Sequence, residues 1–203
     1  MKKTLYSDLK QILLNYKTIG ICLSGGLDSS VLFYCLMTVR NQEQLINTDI
    51  TVFTVDRPDN SKEHSANILN YINQTFGTKI TQHFVGNGNL RHDLQVYSGI
   101  QEAKKQVDCL ILSDNIAPKH LADDEWCPKR VKLDWPRDNI YQPWFDLTKD
   151  KIIKIAIDME LIDLFKLSHS CTESSHTRCG KCWQCRERSW AFNQNKYIDP
   201  GNL

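Results

Sequence analysis

An apolar segment, Ile19-Gly20-Ile21-Cys22-Leu23, runs straight into Ser24-Gly25-Gly26-Leu27-Asp28-Ser29-Ser30 and then into Val31-Leu32-Phe33. Strand, glycine turn and helix in that order form a cradle for phosphate. Gly25 and Gly26 can take backbone angles closed to other residues and so turn several amide N–H groups toward one anion. Ser24, Ser29 and Ser30 add hydroxyls, and the helix that follows adds the positive end of its dipole. A Walker-type loop would hold the phosphates with a lysine in G-x-x-x-x-G-K-S/T, and this loop has none. The second chemical cluster is Cys171, Cys179, Cys182 and Cys185, spaced C-x7-C-x2-C-x2-C. Two-residue gaps let neighbouring sulfurs turn toward one point about 2.3 Å away, as a closed tetrahedral zinc site requires. An iron–sulfur cluster and disulfides are the other chemistries open to such a set.

The loop resembles the pyrophosphatase loop of the PP-loop ATPases, which split ATP between its α- and β-phosphates. On that resemblance Leu23, Ser24, Gly25, Gly26, Leu27, Asp28, Ser29 and Ser30 bind the nucleotide. Ser24, Asp28 and Ser29 are the catalytic candidates, and Asp28 helps to place Mg²⁺. The end of the second strand meets adenine in such enzymes, which brings in Val55 and Asp56, although Asp56 can equally open a turn with Pro58.

Glycine loop and four-cysteine knuckle together, the latter ending in Cys185-Arg186-Glu187-Arg188 and Ala191-Phe192, resemble the 7-cyano-7-deazaguanine synthases. The similarity extends through Gln142-Pro143-Trp144 to Leu147-Thr148-Lys149-Asp150-Lys151-Ile152. It implies ATP, Mg²⁺ and Zn²⁺ as cofactors, with Lys149, Arg186 and Arg188 added to the nucleotide-binding candidates. It also implies a deazapurine carboxylate and ammonia as substrates, queuosine-type nucleoside modification as the destination, and a homodimer as a possible state. The middle of the chain departs from that family. Val55-Asp56-Arg57-Pro58-Asp59-Asn60-Ser61-Lys62-Glu63-His64 replaces an aromatic-Gly-Gln-Arg-His run, and Ser113-Asp114-Asn115-Ile116-Ala117-Pro118 replaces a Tyr-Pro-Asp-Cys-Arg segment. Two other readings stay open: a PP-loop enzyme of tRNA base modification or thiolation, and a non-catalytic zinc-knuckle module in which Trp183 and Trp190 stack on bases.

Positioning these residues takes an α/β fold with an open, twisted parallel sheet of Rossmann-like type, related on the resemblance to the adenine nucleotide α-hydrolases. Apolar runs predict strands over 18–23, 50–55, 79–85 and 108–113, and helical spacing predicts helices over 4–16, 28–40, 61–76 and 92–106. Such alternation indicates crossover units. Ligands then collect at the carboxyl ends of the strands, where Asp114 and Asn115 offer oxygens to Mg²⁺ or a polar substrate. The proline-bearing stretch 116–141, with Trp126, Trp135, Lys119, Lys129, Arg130 and Lys132, has the length of a lid. Thr148 is placed to cap a helix striped with Ile152, Ile153, Ile155, Ala156 and Met159. The organisation expected is a nucleotide-binding domain over 1–145 and a helical zinc-knuckle region over 146–203.

The chain has 203 residues, 41% of them hydrophobic, and 25 basic side chains face 24 acidic ones, so no global field favours a polyanion. It has no apolar run long enough for a membrane helix and no secretory signal, so a cytoplasmic location is expected. Of eight cysteines, Cys22, Cys35 and Cys109 read as small core residues. Cys127 sits among carboxylates that discourage a thiolate. His169 and His176 flank the knuckle, but four sulfurs already close a tetrahedral site.

Overall fold

The computed structural model describes residues 1, 3–86, 92–125, 127–128, 132 and 139–201. The chain opens with helix α1 (Lys3–Asn15), whose Leu5, Leu9, Ile12 and Leu13 form its buried face. Strand β1 (Thr18–Cys22) and helix α2 (Leu27–Gln42) flank the glycine loop. Then follow β2 (Asp49–Val55), α3 (Ser61–Phe76), β3 (Gln82–Val85), α4 (His92–Lys104) and β4 (Cys109–Ile111). The short α5 (Lys119–Ala122) and β5 (Ile140–Tyr141) come next, then α6 (Lys149–Asp158), α7 (Ile162–Leu167) and α8 (Trp183–Gln194).

All four strand pairings are parallel, in the order β3-β2-β1-β4-β5. Register explains the two faces. Ile19 and Ile21 lie beside Ile50 and Val52 on one side and Cys109 and Ile111 on the other. Successive side chains alternate between faces, so all six enter one core with α1, α2, α3, α6, α7 and α8. The alternate residues Phe53, Leu110 and Leu112 join Val85, Ala103 and Ile140 on the opposite face, where α4 covers the sheet. Gly20 makes that face possible. A Cβ there would lie 2.8 Å from Phe53 and 2.9 Å from Leu110.

The expected α/β class and parallel sheet are thus present. The expected irregular stretch 116–141 contains α5 and β5, and α7 follows a break at Leu161; periodicity marked none of the three. Trp126, Lys129, Arg130, Trp135 and Pro136, on which the lid expectation rests, lie outside the described residues. Thr148 occupies the N-cap position of α6 but caps no amide; its hydroxyl donates to the Asp150 carboxylate instead. The residues beyond 145 do not form a separate core, for Ile152, Ile153, Phe165 and Phe192 belong to the same cluster as Ile19 and Leu32.

Candidate active site

The order of the sheet reverses beside β1, where β2 lies on one side and β4 on the other, and ligands collect at such points beyond the carboxyl ends of parallel strands. Two adjoining cavities occupy this place. The larger, about 250 Å³, has apolar walls from Phe53, Val55, Val96, Ile100 and Leu112 and a polar side of Ser24, Asp28, Arg57, Ser113 and Asp114. The smaller, about 140 Å³, runs from Ser24, Gly26 and Ser29 past Arg57 and Lys149 to Cys171, Thr172 and Gln184. Ser24, Asp28, Arg57 and Ser113 line both.

Only one of the two loop glycines takes the special backbone angle. Gly25 has φ +76°, and a Cβ on it would fall 2.5 Å from the Cβ of His64 and 2.8 Å from the backbone nitrogen of Ser65. Gly26, by contrast, is extended at φ −77° and caps α2, which corrects the expectation that both required freedom. The hydroxyls are less available than their number suggests. Ser30 is fully buried and donates to the Gly26 carbonyl at 2.7 Å, so it braces the turn. Ser29 donates to the same carbonyl at 3.1 Å and accepts from the Ser24 amide at 3.2 Å, and Ser24 Oγ accepts from the Gly26 amide at 3.2 Å. These contacts are long, and Ser24 and Ser29 face the smaller cavity.

Asp28 anchors the polar centre. Its Oδ2 takes the Lys149 ammonium at 3.0 Å and the Asn115 amide at 3.3 Å, while Oδ1, though buried, has no hydrogen-bond partner in the protein. Lys149 Nζ also lies 2.8 Å from Oε2 of Glu187. Burial opposes the ammonium, but the two carboxylates outweigh it and hold the Lys149 pKa above the ordinary lysine value. Trp144, fully buried, donates its indole N–H to the Asp28 carbonyl at 3.2 Å and fixes the start of α2 from below.

The remaining expected residues divide. Leu23 and Val55 line the larger cavity, and so does Asp114, which accepts from the Gln142 amide at 2.9 Å. Leu27 lines the smaller. Asp56 is exposed and lines neither; the turn after β2 is organised instead by buried Asp59, which pairs with Arg57 at 2.7 Å and accepts from the Ser61 amide. Arg186 pairs with Asp124 on the surface side of α8. Arg188 is enclosed, and its guanidinium donates to Asp199, Ser168 and the Phe165 carbonyl, so every N–H already has a protein acceptor. Neither arginine lines either of the two cavities. Arg57 and Glu187 are the site residues that sequence reasoning left out as ligands or partners, the first despite lying in a segment that departs from the resembled family; Asn115, expected to offer its oxygen to Mg²⁺ or a polar substrate, lines the larger cavity and gives its amide to Asp28.

Cys22, expected in the core, lines the larger cavity, where burial and the nearby Asp114 push its thiol up to about 12 and leave it inert as a nucleophile. Trp183 is core, its indole donating to the Leu121 carbonyl at 3.1 Å.

The four knuckle sulfurs lie within 4.8 Å of one another and are unbridged. A tetrahedral ion with sulfur ligands at about 2.3 Å needs them roughly 3.8 Å apart, and Cys182 and Cys171 stand at 4.0 Å. Burial opposes ionisation of Cys179, yet the amides of Cys182 and Lys181 donate to its sulfur and bring the thiol down to about 7. The set therefore fits one thiophilic ion. His169 stays outside it: its ring stacks on His64 at 4.2 Å, its Nε2 bonds the Ser174 carbonyl, and its amide donates to the Gly25 carbonyl at 2.8 Å. Knuckle and glycine loop are thereby in direct contact.

Comparison with known proteins agrees with this layout. The family model described as asparagine synthase matches residues 2–111, and that described as queuosine biosynthesis protein QueC matches residues 132–196. None of the curated proteins matches the chain in sequence. Among solved structures, NMN synthetase from Francisella tularensis shares 11% identity with a TM-score of 0.54, over 97% of this chain and 87% of that one. The U34-tRNA thiolase NcsA from Methanococcus maripaludis, solved with its 4Fe-4S cluster, shares 16% identity with a TM-score of 0.49, over 96% and 75%. With more than half its length matched by the asparagine synthase family and its glycine turn set at the switch point of a parallel sheet, the chain belongs to that family within the PP-loop ATP pyrophosphatase superfamily.

Proposed function

We propose that the protein is an ATP-dependent carbon–nitrogen ligase that adenylates a carboxylate and passes the acyl group to ammonia, the acid being 7-carboxy-7-deazaguanine or a close relative. The carrying observation is the convergence of the glycine turn, Asp28 and Lys149 on one cavity with an apolar slot beside it. The QueC match over 132–196, which spans Lys149, Cys171, Thr172, Gln184 and Glu187 of the smaller cavity, supports the choice of acid.

The base and ribose of ATP fill the slot between Phe53, Val55 and Leu112, and the outer phosphates lie against the loop from Ser24 to Ser29. Asp28, through the buried Oδ1 that has no hydrogen-bond partner in the protein, and Asp114 are the residues that would hold Mg²⁺, which neutralises phosphate charge when bound. A carboxylate oxygen attacks the α-phosphorus in line, the α–β bridging bond breaks, and pyrophosphate leaves with its charge taken up by amides, Lys149 and the helix dipole. Ammonia then adds to the acyl carbon, the carbon–oxygen bond to AMP breaks, and a proton is lost to give the amide. In a second round the amide oxygen attacks the α-phosphorus of another ATP and pyrophosphate leaves; the carbon–oxygen bond then breaks, the oxygen departs with AMP, and the two amide protons are lost to give the nitrile. The knuckle holds Zn²⁺ through Cys171, Cys179, Cys182 and Cys185. Four sulfurs bound to four separate irons would have to stand further apart than these.

Thiolation of a tRNA base gains support from one observation, that Cys171 lines the smaller cavity. Incubation with ATP, Mg²⁺, ammonium and a panel of deazapurine acids, read by mass, separates the two. AMP, pyrophosphate and an amide or nitrile are expected; ADP with phosphate, or turnover only with tRNA and a sulfur donor, would overturn the ligase reading.

A further inference from the structure

Glu187 is the least expected charge in the protein. It sits one turn into α8, two residues beyond Cys185, yet none of its surface is exposed. Its neighbours on the same helix, Arg186 and Arg188, are committed to Asp124 and Asp199. Glu187 alone of the three faces the cleft, across the junction where α8 packs on the start of α6, and meets Lys149 there at 2.8 Å.

One carboxylate is enough to neutralise one lysine, and Asp28 already lies 3.0 Å from Lys149. A second carboxylate adds the desolvation cost of a buried charge, and an apolar side chain of the same volume would pack there at least as favourably. Stability therefore does not account for Glu187. Geometry does. Asp28 is the first acidic residue of α2, borders both cavities and keeps Oδ1 free of protein partners, so it is the carboxylate that an arriving nucleotide and its cation engage. When that happens Lys149 loses its hold on the loop side and is held only from the knuckle side.

We propose that Glu187 is the positioning residue for Lys149: from the knuckle helix it keeps the ammonium at the floor of the phosphate cleft once Asp28 is taken up by Mg²⁺ and nucleotide. This rests on the assignment of that cleft to ATP. The knuckle then has a part in catalysis beyond folding, since it carries the side chain that aims the lysine. Removing the Glu187 charge should loosen Lys149 only in the nucleotide-bound protein, and should slow phosphoryl chemistry more than it weakens ATP binding.

The test uses the full chain as purified with its metal, lysine-labelled with ¹⁵N, with α,β-methylene-ATP and Mg²⁺ as the probe. A buried, ion-paired ammonium gives a protected lysine Nζ signal, assigned here with Lys149→Arg. Wild type and Glu187→Gln should both show it without nucleotide. On adding the probe, wild type should keep it, Glu187→Gln should lose it, and Glu187→Asp should keep it in part, with the probe Kd of all three within about threefold. In single turnover with ATP and a productive acid, Glu187→Gln should be slowed about tenfold or more at an ATP KM within about threefold of wild type, and Glu187→Asp should recover part of the rate. An unchanged signal in nucleotide-bound Glu187→Gln would overturn the proposal, as would a loss already present without nucleotide. If the signal follows the expected pattern but no acid is turned over, the proposal stands and the ligase reading fails. If wild type binds no probe, both fall.

Discussion

Gly25 has no tolerable substitute. Its positive φ alone disfavours alanine by about 1 kcal/mol, and a methyl group would meet backbone of α3 as well as the side chain of His64, where nothing flexible can yield. Gly25→Ala should lower stability by about 2–4 kcal/mol in urea unfolding and abolish nucleotide binding by calorimetry, whereas Gly26→Ala, in extended backbone with 3.2 Å to Ser24 Oγ, should fold near normally. Asp28→Ala removes one partner of Lys149 but leaves it paired with Glu187, so circular dichroism should be unchanged while AMP formation is lost. At this scale the sequence was legible where a residue type answers to a single physical demand. The glycine turn and the four thiols are such cases. Arg57 and Glu187 were not, because an arginine in a turn and a glutamate between two arginines each have an ordinary surface explanation, and only the packing of distant segments turns them inward.

Helix α8 is held at two places. Its beginning is gathered by the knuckle, and its middle is tied down by Arg188 on Asp199. Burial pushes the Asp199 carboxyl up, but Arg188, with Arg178 and the Gly201 amide, outweighs it and holds the folded pKa below the ordinary carboxylate value. A depressed folded pKa means that this contribution is fully present above about pH 4, the unfolded carboxylate range, and is lost as pH falls through the folded value. Asp199→Asn should therefore cost about 3 kcal/mol at pH 7, since Arg188 is left enclosed, and should flatten the acid limb of a urea-midpoint profile below about pH 4. Cys182→Ser should lose bound metal by mass spectrometry and destabilise α8 with it. Elements with their own pattern were readable in advance: β1, β2 and β4 because buried central strands are runs of apolar residues, α3 because its stripe repeats. Strand β5 has two residues and exists only by pairing with β4, and α7 is a single-sided segment of six; neither is long enough to carry a period.

Taken whole, the molecule is more unified than a division at residue 145 implies. Leu32 and Phe33 of α2 share a core with Ile153, Phe165 and Phe192, and the trio of Asp28, Lys149 and Glu187 spans the same junction. Thermal unfolding of the metal-loaded protein should accordingly be one transition by both far-ultraviolet circular dichroism and tryptophan fluorescence, and chelation should lower its midpoint rather than split it; two separated transitions would show independent units. The amide of His169 reaches back to the carbonyl of Gly25 across most of the polypeptide. On the ribosome, a nascent chain therefore displays its glycine turn long before the segment that braces it has been synthesised. Until residue 169 is made, the Gly25 carbonyl lacks the amide that closes the turn in the finished fold.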